Sequence, residues 1–452
     1  SMPQVFSPAR VAALTERARA DYIAQRPRSA ALAAGSGHLL SGVPMHWMRD
    51  WGTPFPLYID HAQGAQCVDV DGHVYTDFCL GDTGAMFGHS PAPVAAAIAE
   101  RAARGYSCML PGADANWVGA HLAERFGLPV WQIATTATDA NRFVLRWARG
   151  LTGRPVVVVF DGCYHGTVDD TLVRQDADGR TVARSGLVGQ VADLGQYTRV
   201  VPFNDLAALH AALAPGDVAC VLTEPALTNI GMVLPAEGFL AGVRQLTRQH
   251  GALLVIDETH TISTGYAGYS GQIGLEPDML VLGKPIAGGL PAAVYGMSAE
   301  VAARAEALLA SKPDGHSGMG TTLSANLFTL AAMRANLEQV MTRDAYALTT
   351  PRAARLADAL RALFARHRLP WCVTQIGARC EFQFCPTPPR TGAEAEAAMD
   401  HALERLIHLS LLNQGVLITP FHNMMLVCPD TPETAIAALV DGVEAVLEAL
   451  RG

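Results

Sequence analysis

Lysine is nearly missing from this chain. Of 33 basic residues only Lys284 and Lys312 are lysines, and arginine supplies the rest. Arginine serves every surface role of lysine but offers no deprotonated amine near neutral pH. A lysine kept in such a background marks either amine chemistry or a leftover of composition bias. Charge is sparse too: 17% of residues, with 42 acidic against 33 basic groups, net −9. Without a basic patch the chain is not expected to bind nucleic acid or an anionic membrane. No run approaches the ~18 apolar residues of a spanning helix. Ser1-Met2-Pro3-Gln4 shows no charged-then-apolar leader, so a cytoplasmic location is expected. The nine cysteines, from Cys67 to Cys428, include no CxxC pair, which points to reduced, packed thiols and not to a disulfide framework. His250, His260, His316 and His422 lack ligand spacing, so no metal site is expected.

Apolar residues, in contrast, make up half of the 452, enough for a large core, and disorder is excluded. Residues 8–34 have helical periodicity. The stretch Ala65 to Phe78 reads as a β-hairpin turned at Asp71-Gly72. Continuous apolar strands follow at 155–160, 218–222, 252–256 and 279–282, with helical segments such as Phe239–His250 between them. Apolar strands alternating with helices mean a parallel or mostly parallel sheet covered on both faces, an α/β fold. After about 325 come a long helical stretch, strands near 371–376 and 381–384, and a final helix over 431–450. These form a smaller α+β unit. The expected division is an N-terminal segment over 1–75 that joins the small domain, a large domain over 76–325, and the small domain over 326–452.

In open α/β sheets ligands bind beyond the carboxyl ends of the strands. There the sequence places Asp161-Gly162-Cys163-Tyr164-His165-Gly166, Thr223-Glu224-Pro225, Asp257-Glu258-Thr259-His260 and Gly283-Lys284. An aromatic, carboxylates and the scarce lysine therefore converge on one crevice. Lys284 leaves an apolar strand into a Gly-rich turn, a setting that suits the uncharged amine of Schiff-base chemistry. Asp257 is placed to face a cationic heterocycle, although a carboxylate after a strand also serves as a plain helix N-cap. Thr135-Thr136-Ala137-Thr138-Asp139 precedes a helical run. That stretch is either a phosphate cradle at a helix N-terminus or a simple cap.

These residues resemble the class III, fold-type I aminotransferases that use pyridoxal 5′-phosphate. The similarity is strongest to the branch holding glutamate-1-semialdehyde aminomutase and β-amino-acid aminotransferases. It runs from about Pro54 to the C-terminus, through Tyr75-Thr76-Asp77-Phe78, Phe87-Gly88-His89-Ser90-Pro91, Tyr164-His165-Gly166, Glu224-Pro225, Asp257-Glu258 and Leu282-Gly283-Lys284. The resemblance implies that Lys284 holds the cofactor as a Schiff base and shuttles the proton, and that Asp257 pairs with the pyridine nitrogen. It further implies that Tyr164 stacks on the ring, that Thr136, Ala137 and Thr138 grip the phosphate, and that His165, Glu224 and Thr259 lie in the cofactor site. Thr321 and Thr322 would reach the phosphate of a neighbouring subunit's cofactor, making a homodimer with shared sites. Two departures stand out: Ala137 where relatives have glycine, and Thr259 where they usually carry valine.

On the substrate side the arginines that relatives place near the pocket are absent or displaced. The matching positions hold Met45 or Trp47, with Arg49 nearby, and Phe421 with His422. Arg49 either clamps a carboxylate bidentately or sits on the surface beside Asp50. The aromatic and methionine content favours a hydrophobic or aromatic amine or amino acid. The expected reaction is amino transfer from that donor to a keto acid; the alternative is an aminomutase, with a racemase or decarboxylase behind it.

Overall fold

The computed structural model describes residues 5–315 and 317–452; Ser1–Gln4, read above for a leader, and His316 lie outside them. The chain divides into two units. One comprises residues 92–343 and 389–396, the other residues 1–91, 344–388 and 397–452.

The first unit is built on seven strands: β1 Val130–Ala134, β2 Val156–Phe160, β3 Thr198–Val201, β4 Val218–Thr223, β5 Leu253–Asp257, β6 Met279–Leu282 and β7 Ala293–Met297. Their order across the sheet is β1-β7-β6-β5-β4-β2-β3. The strands from β6 to β3 are mutually parallel, and β7 runs antiparallel to both neighbours. The all-apolar β2, Val-Val-Val-Val-Phe, is buried throughout. Successive side chains leave opposite faces, so β2 feeds two cores. Val157 and Val159 pack with helix α1, Ala137–Thr152, through Phe143, Val144 and Trp147. Val156, Val158 and Phe160 pack with the helices Leu206–Leu213 and Phe239–Gln249. Both faces are thus dry, as a parallel sheet requires.

The four strands read from the sequence are the buried ones at the centre. β1, β3 and β7 were not expected, for local reasons. Gln132 and Arg199 interrupt the apolar pattern of β1 and β3. β7 contains Gly296, a residue that weakens strands; here the indole of Trp131 lies where a Cβ would be.

The second unit carries a four-stranded sheet formed by Ile59–Gln63, Gln66–Asp69, Val74–Asp77 and Val416–Leu417, and a three-stranded antiparallel sheet of Cys372–Ile376, Arg379–Gln383 and Met424–Leu426. The expected hairpin is present, with Gly72 at φ +89° in its turn. The 8–34 stretch is two helices, Pro8–Gln25 and Pro27–Ala34, because a proline disfavours helical backbone at the residue before it. Arg26, at that break, is buried and bonds the Tyr75 hydroxyl at 3.0 Å. Helices Arg343–Arg366, His401–Asn413 and Glu433–Arg451 supply most of this unit's core.

Candidate active site

Asp257 is the last residue of β5, and its neighbour in the pairing register is Val281 of β6. Alternation along β5 sends Ile256 to one core and Asp257 to the face covered by α1. There Asn141, from the second turn of α1, donates to Asp257 Oδ2 at 3.2 Å and to the His165 carbonyl at 3.1 Å. His165 Nδ1 lies 3.0 Å from the same Oδ2, and the Thr259 amide donates to Oδ1 at 3.0 Å. Burial alone would raise the Asp257 pKa, but the His165 hydrogen bond and charge, with Thr259, outweigh it and hold the carboxyl down at about 2. Burial opposes a charged His165 as well, yet Asp257 and Cys163 push its pKa up to about 10. Both shifts favour one state, a buried carboxylate–imidazolium pair.

Beside this pair Lys284 follows β6 and Gly283, with φ +41°. A left-handed non-glycine residue costs about 1–2 kcal/mol, and the turn is pinned from outside: Asn336 donates to the carbonyls of Pro285 and Ile286 at 2.8 and 3.0 Å. Thr259 Oγ1 accepts from the Gly283 amide at 3.1 Å. Lys284 Nζ itself sits 2.9 Å from His260 Nε2.

The N-terminus of α1 closes the arrangement. Thr136 caps it, accepting from the Asp139 amide at 3.2 Å. Thr138 Oγ1 accepts from the Thr167 amide at 3.0 Å, and a methyl on Gly166 would collide with Thr138. A Cβ on Gly283 would lie 2.8 Å from the Ala137 methyl. The extra methyl of Ala137 therefore fills space that Gly283 leaves open, and the helix cap and lysine turn meet there.

A helix N-terminus, a carboxylate and an amine thus border one place. The family model for Aminotransferase class-III matches residues 47–443. The crystal structure of a glutamate-1-semialdehyde-aminomutase from Pseudomonas aeruginosa PAO1 is 52% identical, covers 98% of this chain and 99% of its own, and superimposes with a TM-score of 0.96. A glutamate-1-semialdehyde 2,1-aminomutase from Desulfosudis oleivorans is 35% identical over 374 residues, 81% of this chain and 85% of that protein. A β-phenylalanine aminotransferase from Variovorax paradoxus is 26% identical with a TM-score of 0.85, covering 97% of both chains. The chain belongs to the class-III aminotransferase family. It is an enzyme of that family, with the fold-type I architecture.

Among the other residues expected in the class-III site, Tyr164 is half-buried with the Arg184 guanidinium 5.7 Å from its ring centroid. Glu224 is 2% exposed and accepts from the Thr228 hydroxyl at 2.5 Å. Burial pushes its carboxyl up to about 7 against the pull of Thr228. Thr321 and Thr322 are exposed; Thr321 Oγ1 is 3.3 Å from Thr135 Oγ1 of the same chain, and Ser324 bridges to Thr135 at 2.8 Å. The four substrate-side residues belong to the other unit. Trp47 and Arg49 are exposed on a short 3₁₀ turn. Phe421 is 49% exposed at φ +78°. His422 is buried, its Nδ1 2.7 Å from Glu381 Oε1, so its ring is engaged within its own unit.

Three groups at the site carried no role in the sequence reading: Asn141, Asn336 and His260, the last noted only for its lack of metal-ligand spacing. A polar Asn141 on the otherwise apolar buried face of α1 was a usable signal. Asn336 and His260 gave none, because their partners are distant in sequence.

Proposed function

We propose that this chain is a pyridoxal 5′-phosphate enzyme that moves an amino group within one small amino aldehyde, the reaction class for which glutamate-1-semialdehyde aminomutases are named. The observation that carries the choice is the 52% identity over nearly the full length of the Pseudomonas aeruginosa aminomutase. The order of the two readings made from sequence is therefore reversed: intramolecular transfer comes first, and transfer to a separate keto acid second. The 26% identity to the Variovorax paradoxus aminotransferase, with exposed Met45, Trp47 and Met48, supports that second reading.

The residues present fit the cofactor. Asn141 Oδ1, His165 Nε2 and Glu224 Oε2 are buried without a hydrogen-bond partner among the described residues, and orphaned groups gathered round one carboxylate mark a polar ligand site. When bound, pyridoxal phosphate supplies an aldehyde that captures amines and a ring that draws electrons from the adjoining carbon. Thr136, Ala137 and Thr138 offer the unpaired first-turn N–H groups of α1 to the phosphate. Asp257, held deprotonated, favours a protonated ring nitrogen, while His165 and Asn141 fix its orientation. Lys284 Nζ takes and returns the substrate proton. Tyr164, Glu224 and Thr259 complete the cofactor walls, Thr259 also bracing the lysine turn. Trp47, Arg49, Phe421 and His422 are assigned to the substrate side. Exposed Thr321, Thr322 and Leu323 support a homodimer in which this loop meets the partner's phosphate site.

The test is to give the purified enzyme glutamate-1-semialdehyde with no keto acid. Build-up of the isomer bearing its amino group on carbon 1 is expected. No isomer, together with new amino acid formed from an amine plus pyruvate or 2-oxoglutarate, would favour the aminotransferase instead.

A further inference from the structure

β5 and β6 are parallel, with Asp257 opposite Val281. Three residues beyond each lie His260 and Lys284, so the sheet register itself brings them side by side. His260 is 6% exposed, and its Nε2 is 2.9 Å from Lys284 Nζ. The two acids on the same strand end are committed elsewhere. Asp257 accepts from His165, Asn141 and Thr259. Glu258 is held by the Thr261 hydroxyl and the amides of Tyr269 and Ser270. A short contact between two nitrogen bases needs one proton between them. With the ring hydrogen on Nδ1, Nε2 presents a lone pair to the lysine ammonium.

We propose that His260 is the proton acceptor for Lys284. An N–H bond of the ammonium breaks and its electron pair stays on Nζ as the lone pair; the Nε2 lone pair binds the proton, leaving an imidazolium. The freed amine then condenses with an aldehyde: a C=N bond replaces the C=O bond, and the carbonyl oxygen leaves as water with the two remaining N–H hydrogens, with no oxidant or reductant involved. This rests on the reading of Lys284 as the residue that captures the cofactor.

The experiment mixes apo-enzyme with pyridoxal 5′-phosphate and follows capture by stopped-flow absorbance. Borohydride fixation and peptide mapping then locate the bond. His260→Ala and His260→Gln are compared with wild type, and circular dichroism checks their fold. Glutamine can accept a hydrogen bond but takes up no proton near neutral pH. Both variants are therefore expected to capture about 10²-fold more slowly, the usual scale of a positioned base. Free imidazole should restore part of the rate in the alanine variant. Capture within about twofold of wild type in both would overturn the proposal, and so would full recovery in the glutamine variant, which would leave His260 a positioning residue only. If the wild-type bond maps to a residue other than Lys284, the reading beneath the proposal fails instead.

Discussion

The strand ends of the parallel sheet and the segments carrying Trp47, Arg49 and Phe421 hold their side chains in opposite ways. At the strand ends Asp257 is 3% exposed and receives three hydrogen bonds, and the lysine turn is pinned by Asn336 and Thr259. These groups are ordered by the fold, so a ligand need not supply the entropy of arranging them. Trp47, Arg49 and Phe421 are exposed, and each loses rotamer freedom when covered. The first set is thus preorganised, whereas the second is fixed only when something covers it. Such a division suits a family in which one reaction core serves several substrates.

The largest effect should come from removing charge at the preorganised set. Asp257→Asn keeps the shape and the Thr259 contact but leaves nothing to favour a protonated ring nitrogen. Proton transfer should slow by orders of magnitude, each ~1.4 kcal/mol of lost stabilisation being tenfold, with folding retained. Single-turnover kinetics decide it; a near-wild-type rate would mean that the carboxylate is only structural.

Glu224 offers a smaller, pH-dependent effect. Its folded pKa is raised from the ordinary 4.5 to about 7. The protonated acid is therefore compatible with folding below pH 4.5, and that stability is lost as the pH rises toward 7, levelling off above it. On that shift a charged Glu224 costs on the order of 3 kcal/mol. Glu224→Gln should match wild type in urea unfolding at pH 4.5 and exceed it by a few kcal/mol at pH 8. An equal difference at both pH values would place the carboxylate in a more polar setting than its burial indicates.

The smallest effects belong to the exposed set. Arg49→Ala should change the stability of the chain by less than about 0.5 kcal/mol, as isolated surface replacements do, while raising KM if its guanidinium meets a substrate carboxylate. Chemical denaturation and steady-state kinetics on one preparation separate these. Unchanged KM would leave Arg49 on the surface beside Asp50, and a large stability loss would contradict its exposure.

Local pattern alone determined a good deal here. The apolar runs of β2, β4, β5 and β6 read as buried parallel strands because each is short, apolar and bounded by polar turns. Lys284, Asp257, Glu224 and Tyr164 stood out as candidates because a chemical group at or just past the end of such a strand falls at the ligand edge of the sheet, and because lysine is scarce. Tertiary structure decided what no window of sequence contains. It inserted β7 antiparallel between β1 and β6, with the Trp131 indole over Gly296. It brought Asn141 onto Asp257 across 116 positions and Asn336 onto the lysine turn across 51. It also set His260 against Lys284 across 24 positions, because the register of β5 against β6, fixed by the cores on both faces, places the turns that follow the two strands side by side.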